Sequence, residues 1–169
     1  MIAEAGLAAL WLAAALSLLQ LILGAAALRP GGEALLGVVR PVAVAQGVLA
    51  GIAFTTLIWL FLRTDLSVEL VAANSHSAKP WLYKFAGAWG NHEGSMLLWV
   101  TVLAIAGAAV ALFERRLRQP TLIATLAAQA AIGLGFYAFL LFGAIVLMRM
   151  RAELARNRVE ARMKRMAAS

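Results

Sequence analysis

Four of the residues best equipped for chemistry fall within eleven positions: Trp89, His92, Glu93 and Trp99, in "WGNHEGSMLLW". The chain has one other histidine, His76, a short way upstream. An imidazole nitrogen is the commonest protein donor to haem iron, so His76 and His92 are candidate axial ligands. A histidine in a loop can equally be an ordinary polar residue. Two tryptophans ten positions apart could flank a flat apolar ligand, or could sit at headgroup depth as part of an aromatic belt. Glu93 has an equally plain explanation, a carboxylate well placed at a helix N-terminus. With Gly90, Asn91 and Gly94 around it, the stretch also reads as a capped helix start.

Other chemistries find little to use. His92–Glu93 does not open a metalloprotease motif, because Met96 stands where H-E-x-x-H requires its second histidine. Ligands for a zinc-type site are lacking, so no metal site is expected. No nucleophile–base pair or paired carboxylates stand at readable spacing. The chain has no cysteine, hence no disulfide, thiolate site or C-x-x-C-H haem attachment of its own. Any haem it handles is held non-covalently or belongs to another protein. Gly133 and Gly135 in "AIGLGFYAF" are small positions for close helix packing, since no strand precedes them as a phosphate loop requires.

The elements that position these residues follow from where charge is missing. Residues 5–28, 41–62, 94–113 and 119–148 carry no charge. Each reaches the roughly 20 residues that cross the hydrocarbon of a bilayer. Backbone in lipid must satisfy its own hydrogen bonds, so the four windows predict four helices. The predicted fold is all-α: a polytopic membrane protein with four transmembrane helices and a basic C-terminal helical extension. The first window lacks the basic n-region of a secretory signal and is read as a retained span. None of the windows holds an ionisable relay inside the hydrocarbon, which argues against a small transporter or pore.

Between the spans, the segment from Thr64 predicts a short surface helix with Leu66, Leu70 and Ala73 on one side and Thr64 or Asp65 as its cap. Pro80 is expected to break regular structure before "WLYKF", with Trp81, Tyr83 and Trp89 forming an aromatic belt. The net charge of +7 lies mostly in the tail, 149–169, which holds seven Lys/Arg and two Glu. Basic charge beside a span serves orientation or lipid headgroups, so membrane lipid is an expected partner and nucleic acid is not. The tail reads as a continuation of the fourth helix. Met148, Ala152, Ala155, Val159, Met163 and Met166 form an apolar stripe there, and Glu160 pairs with Lys164. The basic loops after spans one and three place loop 63–93 and the N-terminus outside, yet four spans then put the basic tail outside as well. Either the fourth window does not cross, or the tail overrides the orientation, or the chain joins pieces of different origin.

"NSHSAKPWLYKFAGAWGNHEGSMLLWV" resembles the loop and third span of the large haem lyase subunit of bacterial cytochrome c maturation, the CcmF/NrfE family. "RPVAVAQGVLAGIAFTTLIWLFLRTDLSVELVAANS" before it, and "ALFERRL" and "QAAIGLGFYAFLLF" after it, continue the likeness in order across residues 1–142. The resemblance implies a multi-pass subunit of the bacterial inner membrane with loop 63–93 periplasmic. It implies haem as the group handled, received from a haem chaperone and joined to apocytochrome c, with other cytochrome c maturation subunits as partners. It makes Trp89, His92, Glu93 and Trp99 a signature segment. The family's tryptophan-rich haem-binding segment and its liganding histidines have no counterpart here, so the chain alone is not expected to ligate haem. A non-enzymatic membrane scaffold, or a CcmC-like haem exporter component, is the alternative. Residues 143–169, which begin "GAIVLMRMRAELARNRVEARMKR", resemble instead the C-terminal end of the haem-delivery protein CcmC, implying a tail of different origin.

Overall fold

A computed structural model describes residues 1–167, with the side chains of Glu33, Leu36 and many positions beyond Gly143 outside the description. Helices follow one another as α1 (Ile2–Ala27), α2 (Leu36–Arg63), α3 (Glu69–Asn74), α4 (Trp81–Gly87), α5 (His92–Phe113) and α6 (Gln119–Ala167), with a 3₁₀ turn at Glu33–Leu35. Among the described residues there is no strand. Four helical stretches are long and apolar enough to span a membrane: Ile2–Ala27, Gly37–Arg63, His92–Phe113 and Gln119–Gly143. The all-α membrane architecture expected from the charge-free windows therefore stands.

The spans form a ring in which α1 and α5 each lie between α2 and α6. Large apolar side chains such as Leu12, Ile52, Val102 and Phe142 point outward, where lipid is the solvent. Small ones fill the inside: Ala13, Ala43, Ala50 and Ala104 are fully buried. Without a hydrophobic driving force between helices in lipid, association relies on close van der Waals packing. Each seam has a glycine that allows it. A Cβ at Gly6 would stand 2.7 Å from Thr56, at Gly47 2.7 Å from Ala108, at Gly24 2.8 Å from Ala127 and at Gly107 2.6 Å from Gln129. Of the pair in "GLG", Gly133 faces the interior, whereas Gly135 meets open space.

The helix ends are tied locally. Arg40, half-buried near the start of α2, donates from Nη1 to the Ala111 carbonyl (3.3 Å) and from Nη2 to the Glu114 carbonyl (3.2 Å). A cation there complements the negative C-terminus of α5. At its other end α2 closes through Thr64 in the left-handed region (φ 53°). The Thr64 N–H donates to the Phe61 carbonyl and the Asp65 N–H to the Leu60 carbonyl. Thr64 thus terminates α2 and does not cap α3. Asp65 turns its carboxylate onto Ser67, accepting from the Ser67 N–H (3.1 Å) and hydroxyl (2.6 Å). The residue before α3 is Val68, with no side-chain cap. A short helix exists with Leu70 and Ala73 in it, but it begins only at Glu69, so Leu66 lies outside it and the expected cap is spent on the preceding turn.

Pro80 begins a helix where a break was expected. It stands at the N-cap of α4, where its missing N–H costs nothing and its φ of −57° suits the turn. At the far end, α6 runs on without interruption for 49 residues, so the tail does continue the fourth helix. Leu140 and Gly143 lie beside Glu93, which fixes the end of the bundle at which α6 leaves. Within the fourth window Gln119–Gly143 is long and apolar enough to cross, and the tail leaves at the same end as the α2–α5 connection. Of the apolar stripe, Ala152 and Met163 are exposed. The side chains of Met148, Ala155, Val159, Met166, Glu160 and Lys164 lie outside the description.

Candidate functional site at the collar of α5

The turn between α4 and α5 is built around Asn91. Its Nδ2 donates to the Gly87 carbonyl at 2.8 Å, satisfying one of the orphan acceptors at the end of α4. Its Oδ1 accepts from the Gly94 N–H at 2.7 Å, capping α5. One side chain therefore joins the last turn of one helix to the first turn of the next. Gly94 is buried under this corner, and a Cβ there would run into the Ala88 carbonyl oxygen. The local reading of "GNHEGS" as a capped helix start holds.

The four signature residues take four different surroundings. Trp89 is half-buried, edge-on to Phe85 (4.8 Å between centroids, 88°) and tilted against Phe54 (6.5 Å). It wedges α4 onto α2 and does not join the belt. Trp81 and Tyr83, by contrast, are exposed as belt residues should be. His92 is exposed and lies 6.0 Å from the Phe139 ring of α6. Trp99, two turns further along α5, is 62% exposed on the outside of the bundle. The tryptophans do not form the two sides of a slot. His76 is exposed in the loop after α3, with its carbonyl accepting from the Lys79 N–H.

Of the four, Glu93 lines a groove. This opening, about 650 Å³, is lined by residues of α1, α2, α5 and α6, with residues 67–70, Ala73 and Asn74 as one of its walls. Its lining is mainly apolar, including Leu7, Leu57 and Leu97, with three carboxylates, Glu4, Glu69 and Glu93. Glu4 also holds the N-terminal amine at 3.1 Å. Beside the groove, the Ser67 hydroxyl and then the Ser67 N–H hold the Asp65 carboxyl below its ordinary value of 3.8. Among the described residues no His, Asp or Glu cluster could hold a metal ion.

Sequence reasoning missed a second polar centre, deep between the spans. Gln20 Nε2 donates to the Leu126 carbonyl (2.7 Å) and to Gln129 Oε1 (2.8 Å). Gln129 Nε2 donates onward to Gln46 Oε1 (3.4 Å), and the Ser17 hydroxyl donates to the Ala130 carbonyl (3.0 Å). These residues are far apart in sequence and carry no charge, so neither spacing nor a charge count reveals them.

Comparison with known proteins gives these features a context. Over 142 residues the chain is 45% identical to the cytochrome c-type biogenesis protein ccl1 of Rhodobacter capsulatus, covering 84% of this chain and 22% of that one. It is 48% identical over 141 residues to CycK of Bradyrhizobium diazoefficiens, covering 83% and 21%. To CcmF of Pseudomonas aeruginosa it is 43% identical over 141 residues, covering 83% and 22%. A solved structure described as cytochrome c heme lyase CcmF superposes with a TM-score of 0.75 at 28% identity, covering 82% of this chain and 23% of that one. No protein-family model matches. The chain spans about a fifth of the length of these relatives. The likeness of the tail to CcmC finds no support in them.

Proposed function

We propose, from the chain's place in the CcmF/CycK/NrfE cytochrome c biogenesis family, whose N-terminal part it covers, that it is a membrane subunit of the cytochrome c maturation system. The observation that carries this reading is identity of 43–48% to three such proteins over some five-sixths of the chain, joined to a TM-score of 0.75 against a haem lyase. The step we assign is the joining of haem to apocytochrome c on the periplasmic face of the inner membrane. Haem is then a substrate, handed on by a chaperone, and the other maturation subunits are partners.

The chain's own residues do not fit haem as a held group. The groove beside Glu93 has apolar walls that suit a flat macrocycle, but no histidine lines it. The charged side chains of its lining, Glu4, Glu69 and Glu93, are all carboxylates, and none offers a cation to haem propionates. His92 packs beside Phe139 and His76 stands exposed in the loop. What these residues do supply is a rigid corner: Asn91 and Gly94 hold α4 against α5, and Trp89 pins that corner to α2. In this reading the segment shapes the periplasmic surface on which ligation takes place, while the remaining length of the family's chains supplies the ligands.

The test is restoration of cytochrome c in a bacterium whose haem lyase subunit lacks the matching N-terminal stretch. Thioether-bound haem survives denaturing electrophoresis, so haem-stained cytochrome reports the reaction. Staining is expected to return when this chain is supplied beside the shortened subunit, and to stay absent with this chain alone. No return of stain, with no co-purification of maturation subunits, overturns the proposal. Co-purification without staining favours the scaffold reading, which the separation of His92, Glu93 and Trp99 onto different surroundings supports.

A further inference from the structure

On α2 the exposed residues Val48, Ile52, Thr55 and Trp59 stand about one turn apart, so they form a single stripe that faces lipid. The stripe runs into Arg63, the last residue of the helix, whose guanidinium carbon lies 5.7 Å from the centroid of the Trp59 ring. An indole face attracts a cation at that distance, and tryptophan is the residue that favours headgroup depth. Thr64 then turns the chain, and Asp65 joins Arg63, Trp59, Leu60 and Ile2 around an opening of about 250 Å³. Arg63 and Asp65 make no ion pair with each other among the described residues. Both hydrogen bonds from Ser67 end on Asp65 Oδ1, which leaves Oδ2 as a free acceptor. The N-terminal amine, whose charge also favours the ionised Asp65, is itself paired with Glu4. One cation and one anion thus border a single opening where a lipid-facing stripe ends.

We propose that this opening is a binding site for the headgroup of phosphatidylethanolamine. The lipid phosphate takes the Arg63 guanidinium, whose fork of N–H donors suits it. The primary ammonium donates to Asp65 Oδ2, and an acyl chain lies along Trp59, Ile52 and Val48. Charge selects this lipid over the anionic ones. Phosphatidylglycerol satisfies Arg63 but brings no cation to the Asp65 carboxylate, which its own negative charge repels. Phosphatidylcholine has the right charges, yet its quaternary ammonium carries no N–H to donate. The opening is smaller than the ~300–1,000 Å³ of sites that enclose a whole drug-sized ligand, as befits a headgroup whose chains stay in the bilayer.

The test is a competition among lipids. The full chain in mild detergent is given equal amounts of phosphatidylethanolamine, phosphatidylglycerol and phosphatidylcholine with identical acyl chains, and the lipids that stay bound are counted by native mass spectrometry. Phosphatidylethanolamine is expected to exceed each of the others by about three- to fivefold, the ratio that one exposed ion pair supplies. Asp65→Asn removes the partner of the ammonium and leaves Arg63 in place, so phosphatidylglycerol is expected to move ahead. Arg63→Gln, which takes the cation from the phosphate, is expected to abolish the advantage of phosphatidylethanolamine. Equal retention of the three lipids by the unaltered protein, a lead for phosphatidylglycerol there, or an advantage that survives Asp65→Asn overturns the proposal. Should the variants fail to fold, N-methylated phosphatidylethanolamines decide with the unaltered protein. Retention that falls as methyl groups replace N–H donors supports the site, and retention indifferent to methylation overturns it.

Discussion

Gly94 and Asn91 share the collar, and their substitutions are predicted to fail for different reasons. Alanine at Gly94 drives a methyl group into the Ala88 carbonyl, and relief requires parting α4 from α5. That overpacking costs about 1–3 kcal/mol, visible as a lower unfolding midpoint. Asn91→Ala removes the cap of α5 and the partner of the Gly87 carbonyl together. A lost cap alone costs about 1 kcal/mol. Asp65 supplies a pH-dependent contact at the same end of the bundle. Ser67 holds its carboxyl below 3.8, so this contribution to stability is present above the unfolded value and fades as pH falls through the lower folded value. Ser67→Ala is expected to move the Asp65 titration upward, read by NMR of the carboxyl carbon. An unmoved titration would show that the Ser67 hydrogen bonds are not its cause.

At the scale of elements, the four spans were legible because charge is excluded from hydrocarbon, and that exclusion writes long windows directly into a sequence. Short helices had no such signal. Pro80 read as a breaker because proline disrupts helix interiors, yet the same fixed φ opens α4. Trp89 read as a belt residue because its partners, Phe54 and Phe85, become neighbours only once α4 packs on α2. The glutamines went unread for the same reason: Gln20, Gln46 and Gln129 stand on three different helices. Gln129→Leu leaves Gln20 and Gln46 without their shared partner and is predicted to destabilise the bundle by about 1–3 kcal/mol, measured by unfolding in detergent. Thr64 offers the opposite change. A β-branched residue is held at φ 53° there, so Thr64→Gly should raise the unfolding midpoint by relieving about 1–2 kcal/mol of strain.

For the whole molecule, the end at which α6 leaves the bundle decides how the chain sits in a membrane. Gly143 lines the groove with Glu4 and Glu93, so the N-terminus, loop 63–93 and the basic extension share one end. The proposed role in haem ligation requires that end in the periplasm, whereas the seven Lys/Arg of the extension favour the cytoplasm. Sequence alone could not show at which end of the bundle α6 leaves, because that depends on how the helices pack. The absence of cysteine makes the orientation directly measurable. Ser77→Cys in the loop, Asn157→Cys in the extension and Arg116→Cys in the opposite loop, all at exposed positions, can each be probed in spheroplasts with a membrane-impermeant maleimide. A periplasmic role in haem ligation predicts labelling at 77 and 157 in intact spheroplasts, and at 116 only after permeabilisation. Labelling at 116 in intact spheroplasts with 77 protected, or 77 and 157 found on opposite sides, would contradict it.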